Sequence, residues 1–227
     1  MILIFIFLIF FIIIMKNKKK KLNKKFYTVT EVDNNLNSIY KYINSINLEV
    51  NKLIDFEWLP STSFIEKHLC NEKKRLWNIY PFYGYGTWMK KNCQKCPNIT
   101  NFLKSIPNLK LATLSKIDPY VTLSPHKGWA NYSNNVIRCH FGIRVPKNKC
   151  FISVRNDDDE EEISYLEENK WTIFDDSKIH YSSNLSDKVR IVLIIDIERP
   201  KNIEIGASDL GDTKELIQFM NYLKENN

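Results

Sequence analysis

"FDDSKIHYSSNLSDKVRIVLIIDI" runs from Phe174 to Ile197. It reads as a strand, a turn and the start of a second strand. His180 stands near one strand end, and Arg190 follows ten residues on, among Val, Ile and Leu. A buried guanidinium is costly unless a carboxylate meets it. Arginine meets carboxylates through two parallel hydrogen bonds. The stretch therefore asks for an anion inside a β-rich core.

The same texture repeats upstream. "KLATLSKI" (Lys110–Ile117), "PYVTL" (Pro119–Leu123), "NVIRCHFGIRV" (Asn135–Val145), "CFISVR" (Cys150–Arg155) and "KWTIF" (Lys170–Phe174) are strand-like runs parted by Pro, Asn and Asp. Short strands at this spacing, with no helices between them, predict an antiparallel sandwich or jelly roll. "LWNIYPFYGYGTW" (Leu76–Trp88) reads as extended chain, and 91–107 as a loop and a short helix. "NDDDEEE" (Asn156–Glu162) reads as a solvated hairpin tip, with metal binding the minor reading.

Helices flank this β region. From Thr30 to about Asn51, Val32, Leu36, Ile39, Tyr40, Ile43 and Ile46 recur at helical spacing. "LPSTSFIEKHLC" (Leu59–Cys70) offers caps and a further helical turn, with His68 read as a packing or surface histidine. A closing helix is predicted with Leu216, Ile217, Phe219, Met220 and Leu223 on one side, Asp212 as its cap and Glu215 three residues on. The expected fold class is mainly β with flanking helices.

The 227 residues fit one domain with attachments. Residues 1–25 form an anchor and basic tether, 26–75 a helical region packing on the domain, and 76–227 the β domain with its C-terminal helix. Apolar residues at 44% and charged residues at 26% exclude a disordered chain. The net charge of +7 comes from seven lysines between Lys16 and Lys25. The remainder is roughly neutral, which removes the main support for nucleic-acid binding. "MILIFIFLIFFIIIM" (Met1–Met15) carries no side-chain charge and reads as a single-pass membrane anchor. It is short for a ~30 Å hydrocarbon core unless lysines snorkel. A signal peptide competes, but the basic n-region and small-residue cleavage site are missing. The basic flank argues for a cytosolic domain.

The five cysteines are too sparse, and odd in number, for a disulfide scaffold. "CQKC" (Cys93–Cys96) is a weak zinc signal, more simply a loop with two thiols or one local disulfide. Sequons at Asn98, Asn131 and Asn184 matter only if the domain is lumenal.

Three of the four histidines fall in the strand-rich half. "SPHKG" puts His126 in a turn after a strand. Arg138 and His140, two apart, point to one face of a strand. Two histidines at strand ends imply a divalent metal. Two inward arginines, Arg138 and Arg190, with no obvious inward acid beside them, imply an anion with carboxylate ends. Together these suggest Fe(II) and a dicarboxylate co-substrate; an all-structural reading stays open. Asp175 and Asp176 either hold an imidazole by its second nitrogen or cap a turn.

On three stretches the chain resembles the aspartyl/asparaginyl β-hydroxylase family. They are "SPHKGWANYSNNVIRCHFGIRVPKNKC" (Ser124–Cys150), "WTIFDDSKIH" (Trp171–His180) and "RIVLIIDIERP" (Arg190–Pro200). The likeness spans about Trp77 to Pro200. It implies an Fe(II)- and 2-oxoglutarate-dependent dioxygenase on a cupin-like double-stranded β-helix, using O2. It implies His126 and His180 as iron ligands and as the catalytic pair. It implies Arg138 and His140 at the carboxylate next to the metal, and Arg190 with Ser115 at the distal carboxylate. Most iron oxygenases of this fold add an acid two residues after the first histidine. Gly128 stands there, as in the animal members, which leave the place to water. The segment between His126 and Arg138 is about three residues longer than in the animal enzymes, so that Trp129 and Tyr132 would reshape the substrate mouth. Cys93 matches half of an animal disulfide whose other half falls near Thr100; Cys96 is the substitute partner, or no bridge forms.

The partner implied is a polypeptide hydroxylated at the β-carbon of Asp or Asn. A lipid acyl chain or small molecule is the alternative, since bacterial relatives with a membrane anchor act on lipid. An inactive binding domain is the third reading. Family analogy favours a lumenal domain, against the charge flank.

Overall fold

Period-two alternation in "RIVLIIDIE" (Arg190–Glu198) splits the run between two environments. Leu193, Ile195 and Ile197 join one buried cluster, with Leu36, Ile39, Phe102 and Leu114. Val192 and Ile194 join another, with Cys150, Ile152, Val154 and Phe174. The strand is thus covered on both faces, by helices on one side and by a second sheet on the other.

The computed structural model describes residues 24–53, 58–60, 77–156 and 160–227. The elements in chain order are β1 (Phe26–Tyr27), α1 (Val29–Val32), a 3-10 helix (Asn34–Lys41), α2 (Ile43–Leu53), β2 (Leu59–Pro60), β3 (Trp77–Gly84), β4 (Thr87–Trp88), α3 (Lys90–Lys95) and α4 (Pro97–Lys104). There follow β5 (Leu109–Ile117), β6 (Val121–Thr122), α5 (Ala130–Ser133), β7 (Val136–Arg144), β8 (Cys150–Arg155), β9 (Glu161–Tyr165), β10 (Trp171–Phe174), β11 (Ile179–Asn184), β12 (Arg190–Glu198) and α6 (Lys214–Glu225). The larger sheet has the order β1-β10-β7-β12-β5-β3-β2, with β4 on β3; the smaller is β6-β11-β8-β9. From β5 onward the chain passes back and forth between the two sheets. That is the winding of a jelly roll, and the mainly β expectation holds.

Several local expectations are corrected. The single helix from Thr30 to Asn51 is three pieces. Asp33 is extended, and its side chain accepts the Asn35 amide at 2.8 Å, so the chain restarts there. Short polar side chains offer the backbone such alternatives to a continuous helix. Phe26–Tyr27 pairs with β10 and Leu59–Pro60 with β3, so the N-terminal region contributes strands as well as helices. The stretch 91–107 holds two helices, not one. Thr213, not Asp212, caps α6 by accepting the Leu216 amide at 3.3 Å. The hairpin expected at Asn156–Glu162 is present, since β8 and β9 pair antiparallel from Arg155 and Glu161 on, but Glu161 and Glu162 belong to the edge strand rather than to the turn.

Helix placement has a specific cause. Glu49 of α2, buried, accepts the Asn98 amide at 2.7 Å and the Ile99 amide at 3.0 Å. Those amides open α4, where backbone N–H groups lack helical partners. Such a cap contributes about 1 kcal/mol and sets the angle between the helices.

Cys93 and Cys96 are free thiols, Cys96 buried among apolar side chains. Thr100, near the animal partner position, instead donates to the Cys96 carbonyl at 2.8 Å. Among the described residues no three His, Cys, Asp or Glu side chains gather to hold a metal, so zinc at "CQKC" has no further ligands there. Likewise no described helix is long and apolar enough to cross a membrane. Met1–Met15, His68, Cys70 and the middle of "NDDDEEE" lie outside the described residues.

Candidate active site

Register brings the candidate residues to one inner surface. On β12, Arg190 pairs with Ile117, Val192 with Ser115, Ile194 with His140 and Asp196 with Arg138. Directly paired residues share a face. Arg190, Ser115, His140 and Arg138 therefore all look from the larger sheet toward the smaller. From the other side, β11 presents His180, paired with Val154 of the inner cluster.

His126 and His180 are joined through their backbones. The amide of each donates to the carbonyl of the other, at 3.0 and 2.8 Å. Their rings lie with centroids 4.4 Å apart. His126 Nδ1 meets the Ser124 carbonyl at 2.8 Å, and His180 Nδ1 the Lys178 carbonyl at 2.9 Å. A carbonyl can only accept, so both Nδ1 atoms carry the proton and both Nε2 atoms keep a free lone pair. This is how metal-binding imidazoles are commonly oriented. Burial lowers the His126 pKa to about 3 and that of His180 to about 4, with neighbouring His180 and Arg138 adding to the respective shifts. Both are neutral donors at pH 7.

Arg190 is 1% exposed. Its Nη2 donates to Ser182 Oγ at 2.6 Å, while Nε and Nη1 have no hydrogen-bond partner among the described residues. Burial pulls its pKa down to about 10, which still leaves the cation at neutral pH. Ser115 Oγ accepts from Trp77 Nε1 at 2.9 Å, leaving its own hydroxyl hydrogen to donate elsewhere. Both ring nitrogens of His140 are likewise buried without a partner. Burial, with Arg190 and Arg138 nearby, holds its pKa well below the usual range.

Arg138 differs. The absence of an inward acid, expected from sequence, holds for Arg190 and fails here. Arg138 Nε and Nη2 grip Asp196 at 2.8 and 2.7 Å, and Nη1 pairs with Asp176. Tyr132 OH also donates to Asp196 at 3.1 Å, so the hydroxyl of this half-buried tyrosine is tied to the inner face. Sequence reading missed Asp196, although its even spacing from Arg190 along β12 was the available signal. Burial works against the Arg138 cation, but the two carboxylates outweigh it and raise its pKa. Burial pushes the Asp176 and Asp196 carboxyls up, with Arg138 pulling the other way.

Of the two roles weighed for the acid pair, Asp175 takes the turn; the second nitrogen of His180 is held by the Lys178 carbonyl and not by an acid. Asp175 accepts the Ser177 amide at 3.0 Å and the Arg199 guanidinium at 2.6 and 3.1 Å, shaping the turn. Asp176 reaches His180 Nε2 at 3.4 Å. A Cβ at Gly128 would overlap Asp176 Oδ2, so Asp176 fills the space beside this glycine. A cavity of about 210 Å³ lined by Tyr27, Glu31, Asp175, Ser177 and Gly206 includes none of the six candidate residues and lies behind the turn.

The fold is a jelly roll whose inner face carries two neutral imidazoles and a buried guanidinium with two atoms unpartnered among the described residues. Its family is definite: residues 41–200 match the model described as Aspartyl/Asparaginyl beta-hydroxylase, and the chain belongs to that family. It is 32% identical over 124 residues to the ornithine lipid ester-linked acyl 2-hydroxylase of Rhizobium tropici, covering 55% of this chain and 42% of that protein. It is 26% identical over 130 residues to the human aspartyl/asparaginyl beta-hydroxylase, covering 55% of this chain and 16% of that one. The matches thus span less than half the length of these relatives. A 2OG-Fe(II) oxygenase family oxidoreductase from Burkholderia pseudomallei aligns with a TM-score of 0.49 and 8% identity, over 75% of this chain and 81% of that one.

Proposed function

We propose that this protein is an Fe(II)- and 2-oxoglutarate-dependent dioxygenase that hydroxylates carbon. The observation that carries the reading is Arg190, charged and 1% exposed, with two N–H-bearing atoms unsatisfied among the described residues. A buried cation left so costs several kcal/mol unless a ligand completes it, and a carboxylate has the matching two-pronged shape.

The residues present fit the groups the family implies. His126 and His180 would hold the metal through Nε2. Arg190 and Ser115 would hold the distal carboxylate, and His140 would donate to the end nearer the metal. Bound there, Fe(II) with O2 and 2-oxoglutarate supplies the oxidising chemistry that yields succinate and CO2 and places one oxygen on a substrate carbon. The chain's part is orientation and exclusion of water. Ser124 and Lys178 carbonyls fix the tautomers. Arg138, neutralised by Asp196 and Asp176, serves as a positioning group for Asp176 beside His180, rather than as a direct clamp.

For the substrate, we infer Asp or Asn β-hydroxylation in a polypeptide. A lipid acyl chain is the second reading, favoured by the higher identity to the acyl 2-hydroxylase than to the human enzyme. The full chain given Fe(II), ascorbate and 2-oxoglutarate should form succinate slowly without any prime substrate. Absence of succinate at every iron concentration removes the dioxygenase reading. Mass spectrometry of peptides and of ornithine lipids incubated with the enzyme then assigns the added oxygen to one class.

A further inference from the structure

The family match ends at residue 200, yet the next dozen residues are tied to both loops that carry the imidazoles. Gly206 N donates to the Asn134 carbonyl at 3.0 Å. Ser208 N donates to Asn134 Oδ1 at 2.8 Å, and Asn134 Nδ2 returns a bond to the Ser208 carbonyl at 3.0 Å. Ser208 Oγ donates to the Gly128 carbonyl at 2.5 Å, and the Ala130 amide to the Leu210 carbonyl at 2.7 Å. These bonds all fall on the loop after His126. On the loop before His180, the Ala207 amide donates to Ser177 Oγ at 3.2 Å. Arg199 joins all three segments, through Asp175, the Ser133 carbonyl and the Glu204 carbonyl at 3.0 Å.

Gly206 is the wedge. A Cβ there would lie 2.6 Å from Ser177 Cβ and 2.7 Å from Asn134 Cα, so only glycine passes between the loops. The β-bridge already fixes the His126 and His180 backbones. The Gly128 amide also donates to the Asp176 carbonyl at 2.9 Å. What these backbone bonds leave to other contacts is the chain from Trp129 to Asn135.

We propose that Glu204–Asp212 is a clasp that presses the loop after His126 onto the loop before His180, reinforcing the Gly128–Asp176 backbone bond and so setting the space beside the two imidazoles. This rests on the reading that those imidazoles bind a metal. In that role Ser208, Asn134 and Gly206 are positioning residues. Second-layer contacts of this kind set metal affinity by about 10–100-fold.

The test uses Co(II) and the full chain. Wild type should bind Co(II) with a visible absorption spectrum, and His126→Ala should lose it. Ser208→Ala, which removes two hydrogen bonds and little volume, should weaken Co(II) binding by about 10-fold and shift the visible bands. Ser208→Thr, keeping the hydroxyl, should restore both. Gly206→Val should act in the same direction more strongly; if that chain does not fold, Ser208→Ala decides. Unchanged affinity and bands in a folded Ser208→Ala chain overturn the clasp while leaving the metal reading intact. Should wild type bind no Co(II), or bind it regardless of His126, the metal reading fails instead. Hydrogen exchange then judges the clasp alone: the Gly128 and Ala130 amides should lose protection in Ser208→Ala, and unchanged protection overturns it.

Discussion

The carboxylate of Asp176 occupies the space that any side chain at Gly128 would need. A Cβ there would lie 2.9 Å from Asp176 Cγ and 2.6 Å from Ser133 Cβ, in addition to overlapping Asp176 Oδ2. In most iron oxygenases of this fold that position supplies the third metal ligand. Here the acid nearest the two imidazoles, Asp176, lies four residues before His180 and is turned onto Arg138.

Gly128→Asp should therefore damage the site rather than complete it. The new side chain has to push Asp176 off Arg138 or displace α5. Overpacking of this kind costs about 1–3 kcal/mol. Urea denaturation should show that loss, and Co(II) affinity should fall; a stable Gly128→Asp chain with tighter metal binding would contradict the packing described.

Arg190 invites a test in two directions. Arg190→Met removes a buried cation that has no carboxylate, so the metal-free chain should be as stable as wild type or more stable, by up to about 2 kcal/mol. With Mn(II) present, 2-oxoglutarate at 100 times its Kd should stabilise wild type by about 2.7 kcal/mol. Arg190→Met should gain none of it. Equal stabilisation of both chains would remove Arg190 from the co-substrate site.

Stability should depend on pH through the imidazoles. His126 and His180 have folded pKa values of about 3 and 4, below the unfolded value of 6.5. Below pH 6.5 the unfolded chain takes up protons that the folded chain refuses. Stability is therefore lost as pH falls toward 4, at about 1.4 kcal/mol per pH unit for each histidine. Metal-free protein unfolded in urea between pH 7 and 5 should show the slope, and His126→Gln should reduce it by one histidine's share.

The three sequons are not equivalent. Asn184 is fully buried, and its amide donates to the Ile117, Asp118 and Lys188 carbonyls at 3.2, 3.0 and 2.8 Å. A glycan there is incompatible with this fold. Asn184→Gln should cost about 2–4 kcal/mol, because several buried partners lose their bonds, whereas Asn131→Gln on the surface should stay within about 0.5 kcal/mol. Thermal melts of the two variants separate these cases.

Strand positions and the facing of their side chains were legible in the chain, since alternation along β7 and β12 is a local property. That local pattern placed Arg138, His140 and Arg190 on inner faces and marked His180 as a strand residue. Helix continuity was less legible, because Asp33 could either continue the helix or restart it. The edge strand β9 was hidden because an exposed edge needs no apolar pattern.

Residue order alone carried the family, the alternation of apolar residues and the identity of the candidate donors, all of which depend on neighbours along the chain. Pairing across distance was settled by folding. Asp196 meets Arg138 because β12 lies beside β7 in one register. Asp176 lies beside Gly128 because the bridge between His126 and His180 brings the two loops together and the Gly128 amide donates to the Asp176 carbonyl. Arg190 keeps two N–H-bearing atoms unsatisfied among the described residues, where the packing around it supplies Ser182 alone. A one-dimensional pattern records which charges are present; which of them are left without a partner is fixed by the packing that excludes water and brings distant strands together.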